Sequence, residues 1–211
     1  MSTELSSLIR GEASIADIAG YLDGLGAAAR AAEANALARA EQALLFDKAA
    51  DAPPIAVAHF VPPAVPDLTP VHHPGRNTIM TLPYFQRFEK RFARAADGSG
   101  RLFGYNASNA WFVTPGYFVA YETAARPEWA ERGGVVVDSH QVPDADVPAG
   151  WPRVVDNGKG LQRLVYHLTR DFMRQVSRHV SIGRASREDE RGDRLLDYWF
   201  TLCRQDRSSP E

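Results

Sequence analysis

Residues 101–107 (RLFGYNA), 116–123 (GYFVAYET), 134–142 (GVVVDSHQV) and 195–204 (LLDYWFTLCR) decide the fold. Each run is short and rich in β-branched and aromatic residues, which suit a pleated, half-buried surface. Glycine, proline or aspartate stands near their ends. A further run at 179–185 is followed by the polar stretch Ser186 to Asp193, which contains Gly192 and has hairpin composition. Short strands that succeed one another in the chain predict antiparallel pairing. The expectation is a sheet of about five strands.

Two flanking stretches carry helical spacing instead. Leu82, Phe85, Phe88 and Phe92 recur every three or four residues, with Gln86, Arg87, Glu89, Lys90 and Arg91 between them. Leu161, Leu164, Val165, Leu168, Phe172 and Val176 recur in the same way, beside a row of Arg163, Arg170, Arg174 and Arg178. Both read as amphipathic helices. The class is therefore α+β: an antiparallel sheet of about five strands packed on one or two helices. A curved sheet gripping a helix is a usual way to build a small-molecule cavity.

Upstream, residues 1–52 form an N-terminal helical region. Ser14 and Asp17 stand at capping-box spacing, and Ile15, Ile18, Leu22 and Leu25 mark one helix face. Gly24 and Gly26 break that helix, and the Ala-rich residues 27–49 continue as a second, giving a helical hairpin. Residues 53–75 hold half of the chain's 14 prolines. Proline lacks an N–H, so this segment is expected to be neither helix nor central strand. Ile55, Val57, Phe60, Val61 and Val65 are too apolar for a free linker, and the segment reads as an extended arm across the surface of a main domain at 76–211.

A composition of 45% hydrophobic and 24% charged residues excludes a collagen-like, disulfide-framework or disordered chain. The formal net charge of −2 argues against a general nucleic-acid binder. Residues 1–54 carry four bases against eight acids, whereas residues 159–211 carry 11 against eight, so the two ends can face each other. Lysine occurs only at Lys48, Lys90 and Lys159; the other 21 bases are arginine. Cys203 is the single cysteine, no secretory signal is visible at Met1–Arg10, and no apolar run is long enough to span a membrane. A soluble cytoplasmic protein is the expectation.

Several motifs dissolve on inspection. Gly24-Leu25-Gly26-Ala27-Ala28-Ala29 matches a dinucleotide pattern but follows a helix rather than a strand, so it is read as an interhelical turn. A helix-turn-helix there would present Arg30 and Arg39 among Glu33 and Glu41, the wrong charge for DNA. The six histidines show no HxxxH spacing, and His167 with Asp171 reads as a helix-surface pair. No cofactor or metal is expected.

What remains is a pocket. Asp138 and His140, two apart on one strand, form the candidate acid–base pair. Tyr105, Tyr117, Tyr166 and Tyr198 bring hydroxyls to aromatic strands, and Arg170 and Arg174 offer forked donors to a carboxylate or phosphate. These six are the candidate ligand residues, around a small, partly apolar or anionic molecule between the sheet and the second helix. The rival reading is an interaction module, a homodimer being the expected product, that assembles through the N-terminal helices.

Overall fold

The structure, a computed structural model, describes residues 3–78, 86–107, 115–158 and 167–205. Its centre is a closed barrel of eight strands, each paired antiparallel with its neighbours in sequence, and the last with the first. The strands are β1 (Val71–Asn77), β2 (Arg87–Arg94), β3 (Leu102–Ala107), β4 (Gly116–Glu122), β5 (Val135–Asp138), β6 (Thr169–Gln175), β7 (Val180–Asp189) and β8 (Gly192–Cys203). The expected open sheet of about five strands is thus corrected. Three strands had been read as something else: β2 and β6 as helices, and β1 as part of the arm. Closure removes every sheet edge.

Cross-strand partners share a face, so the register traces the lumen round the barrel. Phe92 pairs with Gly104, Gly104 with Phe118, Val137 with Asp171, Met173 with Gly183 and Gly183 with Phe200. Leu202 and Gly75 close the circle. Interiors of eight-stranded barrels are narrow, and here bulky rings face bare backbone. A Cβ built on Gly104 would lie 2.3 Å from the Phe118 ring, and one on Gly183 2.3 Å from the Phe200 ring.

The proline-rich segment does not lie across the surface. It contains a short helix, α5 (Val57–Phe60), and packs into one end of the barrel. Ile55, Phe60, Val61 and Val65 are buried against Val71, Phe92, Leu102 and Phe118, and the Phe60 ring sits 4.8 Å from that of Phe92. Arg94 holds this plug by donating to the carbonyls of Val61, Pro62 and Val65 at 2.9–3.1 Å. Proline is tolerated in β1 for a geometric reason. A strand residue turns both backbone groups to the same neighbour. The His72 carbonyl accepts from Gln205 on the β8 side, so Pro74, two residues on, turns its missing N–H that way too. Pairing of β1 with β8 starts only at Gly75.

The helical region holds four helices rather than one hairpin: α1 (Glu4–Arg10), α2 (Ile15–Gly24), α3 (Ala27–Ala36) and α4 (Arg39–Lys48). The capping box of α2 forms as its sequence requires: Ser14 Oγ accepts from the Asp17 N–H at 3.2 Å, and Asp17 accepts from the Ser14 N–H at 2.9 Å. Leu5, Ile9, Ile18, Leu22, Leu37, Leu45 and Phe46 form one buried cluster with Val176, Val180, Ile182 and Cys203 on the outer wall of the barrel. Asp23 pairs with Arg178 at 3.1 Å, so the acidic helices do meet the basic C-terminal part. Among the described residues no helix is long and apolar enough to cross a membrane.

Candidate functional site

Alternation in β2 aims Phe88, Lys90 and Phe92 into the lumen, and alternation in β6 aims Asp171 and Met173 there. These strands are four apart in a ring of eight and so stand on opposite walls. Lys90 reaches across, its Nζ 2.9 Å from Asp171 Oδ2. The same ammonium donates to Asn106 Oδ1 at 2.7 Å, and Asn106 in turn donates from Nδ2 to the Gly116 carbonyl, which fixes the amide. Three phenyl rings surround the cation, with centroids at 5.0 Å (Phe118), 5.2 Å (Phe200) and 5.8 Å (Phe88). The Lys90 side chain is only 4% exposed and that of Asp171 15%. Coulomb attraction, a charge-assisted hydrogen bond and the faces of three rings all offset the desolvation of one ammonium.

The plug lies on one side of this pair. On the other side the next lumen positions are Asn77 and the half-buried Phe88, with Tyr198 beside Phe200 at a centroid distance of 6.1 Å. That end carries the long β7–β8 hairpin, which turns at Gly192 with φ of 103°.

The residues expected around a single pocket are dispersed. Because residues 169–175 form a strand, no pocket lies between a sheet and a helix there. Tyr105 and Tyr117 face outward from the barrel and pack on Trp151, the Tyr105 ring at 5.0 Å. Tyr105 OH accepts from Arg91 at 2.9 Å, and Tyr117 OH donates to the Pro152 carbonyl. Burial pushes the Tyr117 phenol up to about 12. Of the expected ligand tyrosines that are described, Tyr198 alone lies by the lumen; Tyr166 falls outside the described residues. Arg174 donates to the Phe46 carbonyl at 2.8 Å and to that of Glu131, tying β6 to the helices. On a strand, Arg170 and Arg174 stand about 13 Å apart, so they form no row.

Asp138, His140 and Arg170 do come together, on the outer wall. β5 ends at Asp138, so His140 sits in the following turn and the expected shared strand face does not apply. Asp138 accepts the backbone N–H of His140 at 3.0 Å rather than its ring. Its other partners are Tyr121 OH at 2.8 Å and Gln141 at 3.0 Å, with Arg170 Nε at 3.4 Å. Arg170 also binds Glu188 at 2.9 Å and lies 3.3 Å from His140 Nδ1. Burial and the adjacent Asp138 push Tyr121 up to about 12. This is a clasp holding the β7–β8 hairpin, with an imidazole at its rim.

Sequence reasoning missed Lys90, Asn106 and Asp171 as a group. The sequence reading puts Lys90 on the polar face of an amphipathic helix and Asp171 beside His167. A lysine between two phenylalanines at two-residue spacing was the available signal.

At the plugged end His73 Nε2 donates to the Phe60 carbonyl at 3.0 Å, while its Nδ1 is buried without a partner. Burial pulls this imidazole down to about 3, against the bond to Phe60, and the charges on Arg204 and His72 add to the shift. His59 beside it is held well below its ordinary value by burial, His73, Arg204 and His179.

The chain was compared with protein-family models, with curated proteins and with solved structures, and none of the three gave a match.

Proposed function

We propose that the protein binds a small, partly apolar molecule in the barrel lumen, on the side of Lys90 away from the Phe60 plug. Lys90, Asn106 and Asp171 supply the polar contacts, and Phe88, Phe200 and Tyr198 the apolar walls. One observation carries this reading: a hydrogen-bonded ion pair placed inside an aromatic-lined barrel. Such a pair is not needed to close the fold, since well-packed apolar side chains of similar volume would do so at equal or lower free energy. Few convergent polar groups in an apolar concavity are what a ligand site requires.

The rival reading, assembly through the helices, finds less support. The apolar residues of α1, α2 and α4 are buried in one cluster within this chain, together with residues of its own β7 and β8.

Titration with 1-anilinonaphthalene-8-sulfonate, an aromatic anion, tests the proposal. Saturable binding of one probe per chain is expected. Replacing the pair in Lys90→Met/Asp171→Leu should weaken it about tenfold or more, the worth of a charge-assisted hydrogen bond. Circular dichroism checks that the variant folds. Absence of saturable binding, or equal affinity in the variant, overturns the reading.

A further inference from the structure

We propose that Lys90 is an attachment site for carbonyl compounds, forming an imine with an aromatic or conjugated aldehyde held in the lumen. The inference rests on the lumen reading above and adds a covalent step to it.

Three observations fit a lysine that forms an iminium in the lumen. First, 21 of the chain's 24 bases are arginine, yet the base that crosses the lumen is a lysine. An arginine would satisfy Asp171 and Asn106 with more donors but holds its proton permanently, whereas a lysine can release one and act as a nucleophile. Second, a carboxylate stands 2.9 Å from Nζ, close enough to take a proton from the ammonium and to return it. Third, three phenyl faces enclose the nitrogen at 5.0–5.8 Å. They favour a cation at that point, and an iminium is a cation. Planar, apolar carbonyl compounds also suit walls made of aromatic rings.

The step balances without an oxidant. Asp171 accepts a proton from the ammonium, and the free amine adds to the carbonyl carbon, forming the C–N bond. The carbonyl oxygen leaves as water with two hydrogens, one from nitrogen and the one returned by Asp171. The nitrogen keeps its last hydrogen and the positive charge, now paired with Asp171. The amide of Asn106, fixed by its bond to Gly116, aims Nζ before and after the reaction.

The chain's three lysines make the test clean. Wild type is incubated with cinnamaldehyde and sodium cyanoborohydride, which reduces an iminium to a stable secondary amine, and the adduct is located by peptide mass spectrometry. Lys90 should be labelled at least tenfold faster than Lys48, a half-buried amine outside the lumen that donates to the Gly11 and Ala13 carbonyls. Asp171→Asn, which keeps the shape of the carboxylate, should slow labelling of Lys90 about tenfold and leave Lys48 unchanged. Cinnamyl alcohol, the same skeleton without a carbonyl, is titrated in parallel by quenching of protein fluorescence. Saturable binding of the alcohol with no preference for Lys90 overturns the imine and leaves the lumen reading standing. Failure of both alcohol binding and labelling overturns both. Equal labelling of Lys90 in wild type and Asp171→Asn overturns the role given to the carboxylate, and with it the proposed step.

Discussion

Acid should loosen the plugged end of the barrel before it touches the carboxylates, and His73 is the residue that decides by how much. The imidazole is fully buried, bonded to the Phe60 carbonyl, and held at about 3 where an exposed histidine titrates near 6.5. The folded chain therefore keeps it neutral across the mildly acidic range. The unfolded chain does not, and binds a proton as pH falls below about 6.5. Wherever the unfolded state binds more protons, stability falls as pH falls, at about 1.4 kcal/mol per pH unit for each such group. From pH 6.5 to 5 His73 alone removes about 2 kcal/mol, out of a total on the order of 5–15 kcal/mol. His59 acts in the same direction, because burial and the charges on Arg204 and His179 depress it as well. The carboxylates held low, Asp17, Glu41, Asp97 and Asp144, lose their stabilising charge mainly below about pH 5, so the histidines dominate this window. Urea unfolding at pH 7.5, 6.5, 5.5 and 5.0 measures the slope. His73→Gln keeps a donor for the Phe60 carbonyl and has nothing to titrate. Its stability at pH 5 should fall by about 2 kcal/mol less than that of wild type. Equal slopes in the two proteins would refute the argument.

Two further outcomes bear on the barrel wall. Asp171→Leu and Lys90→Met each leave one partner of a buried pair uncompensated and should cost about 3–5 kcal/mol, whereas Lys90→Met/Asp171→Leu should recover most of that loss; a double-mutant cycle by denaturant unfolding reads both. Gly104→Ala places a methyl group 2.3 Å from the Phe118 ring and 2.4 Å from the Arg91 carbonyl. It should cost about 1–3 kcal/mol as overpacking, seen as a lowered Tm, and an unchanged Tm would show that β3 and the Phe118 ring yield freely.

Part of this architecture is legible in the amino-acid sequence. The strand signals at 101–107, 116–123 and 134–142 fall on β3, β4 and β5, whose residues are buried on both faces in the structure. The Ser14–Asp17 cap and the glycine turn after α2 were equally plain, because such signals are local and depend on a few backbone bonds. The ligand residues were not legible as a set. Aromatic enrichment says that strands pack, but which wall a tyrosine faces is set by register. Tyr105 and Tyr117 face out, and Tyr198 lies by the lumen.

What hid the barrel was the same pair that marks its site. A strand with one face in an apolar core should alternate apolar and polar residues. In β2 the lumen face reads Phe88, Lys90, Phe92, and the lysine breaks the alternation at its centre. Phe85, Phe88 and Phe92 are then left at helical spacing. In β6 the break is double. Asp171 faces inward while Phe172 faces out to pack on Trp129 at 5.4 Å, so the polar and apolar roles of the two positions are exchanged. Leu168, Phe172 and Val176 then fall four apart, as on a helix. Both errors follow from assuming that a lumen-facing residue is apolar, and each is made by one member of the Lys90–Asp171 pair. Without β2 and β6 the remaining strands cannot close a ring, and an open sheet is the only arrangement left to infer. A local rule broken on two opposite strands by residues that satisfy each other across 2.9 Å is unlike random drift. It directs attention to the lumen, and to those two side chains, as the place where this chain departs from what folding alone requires.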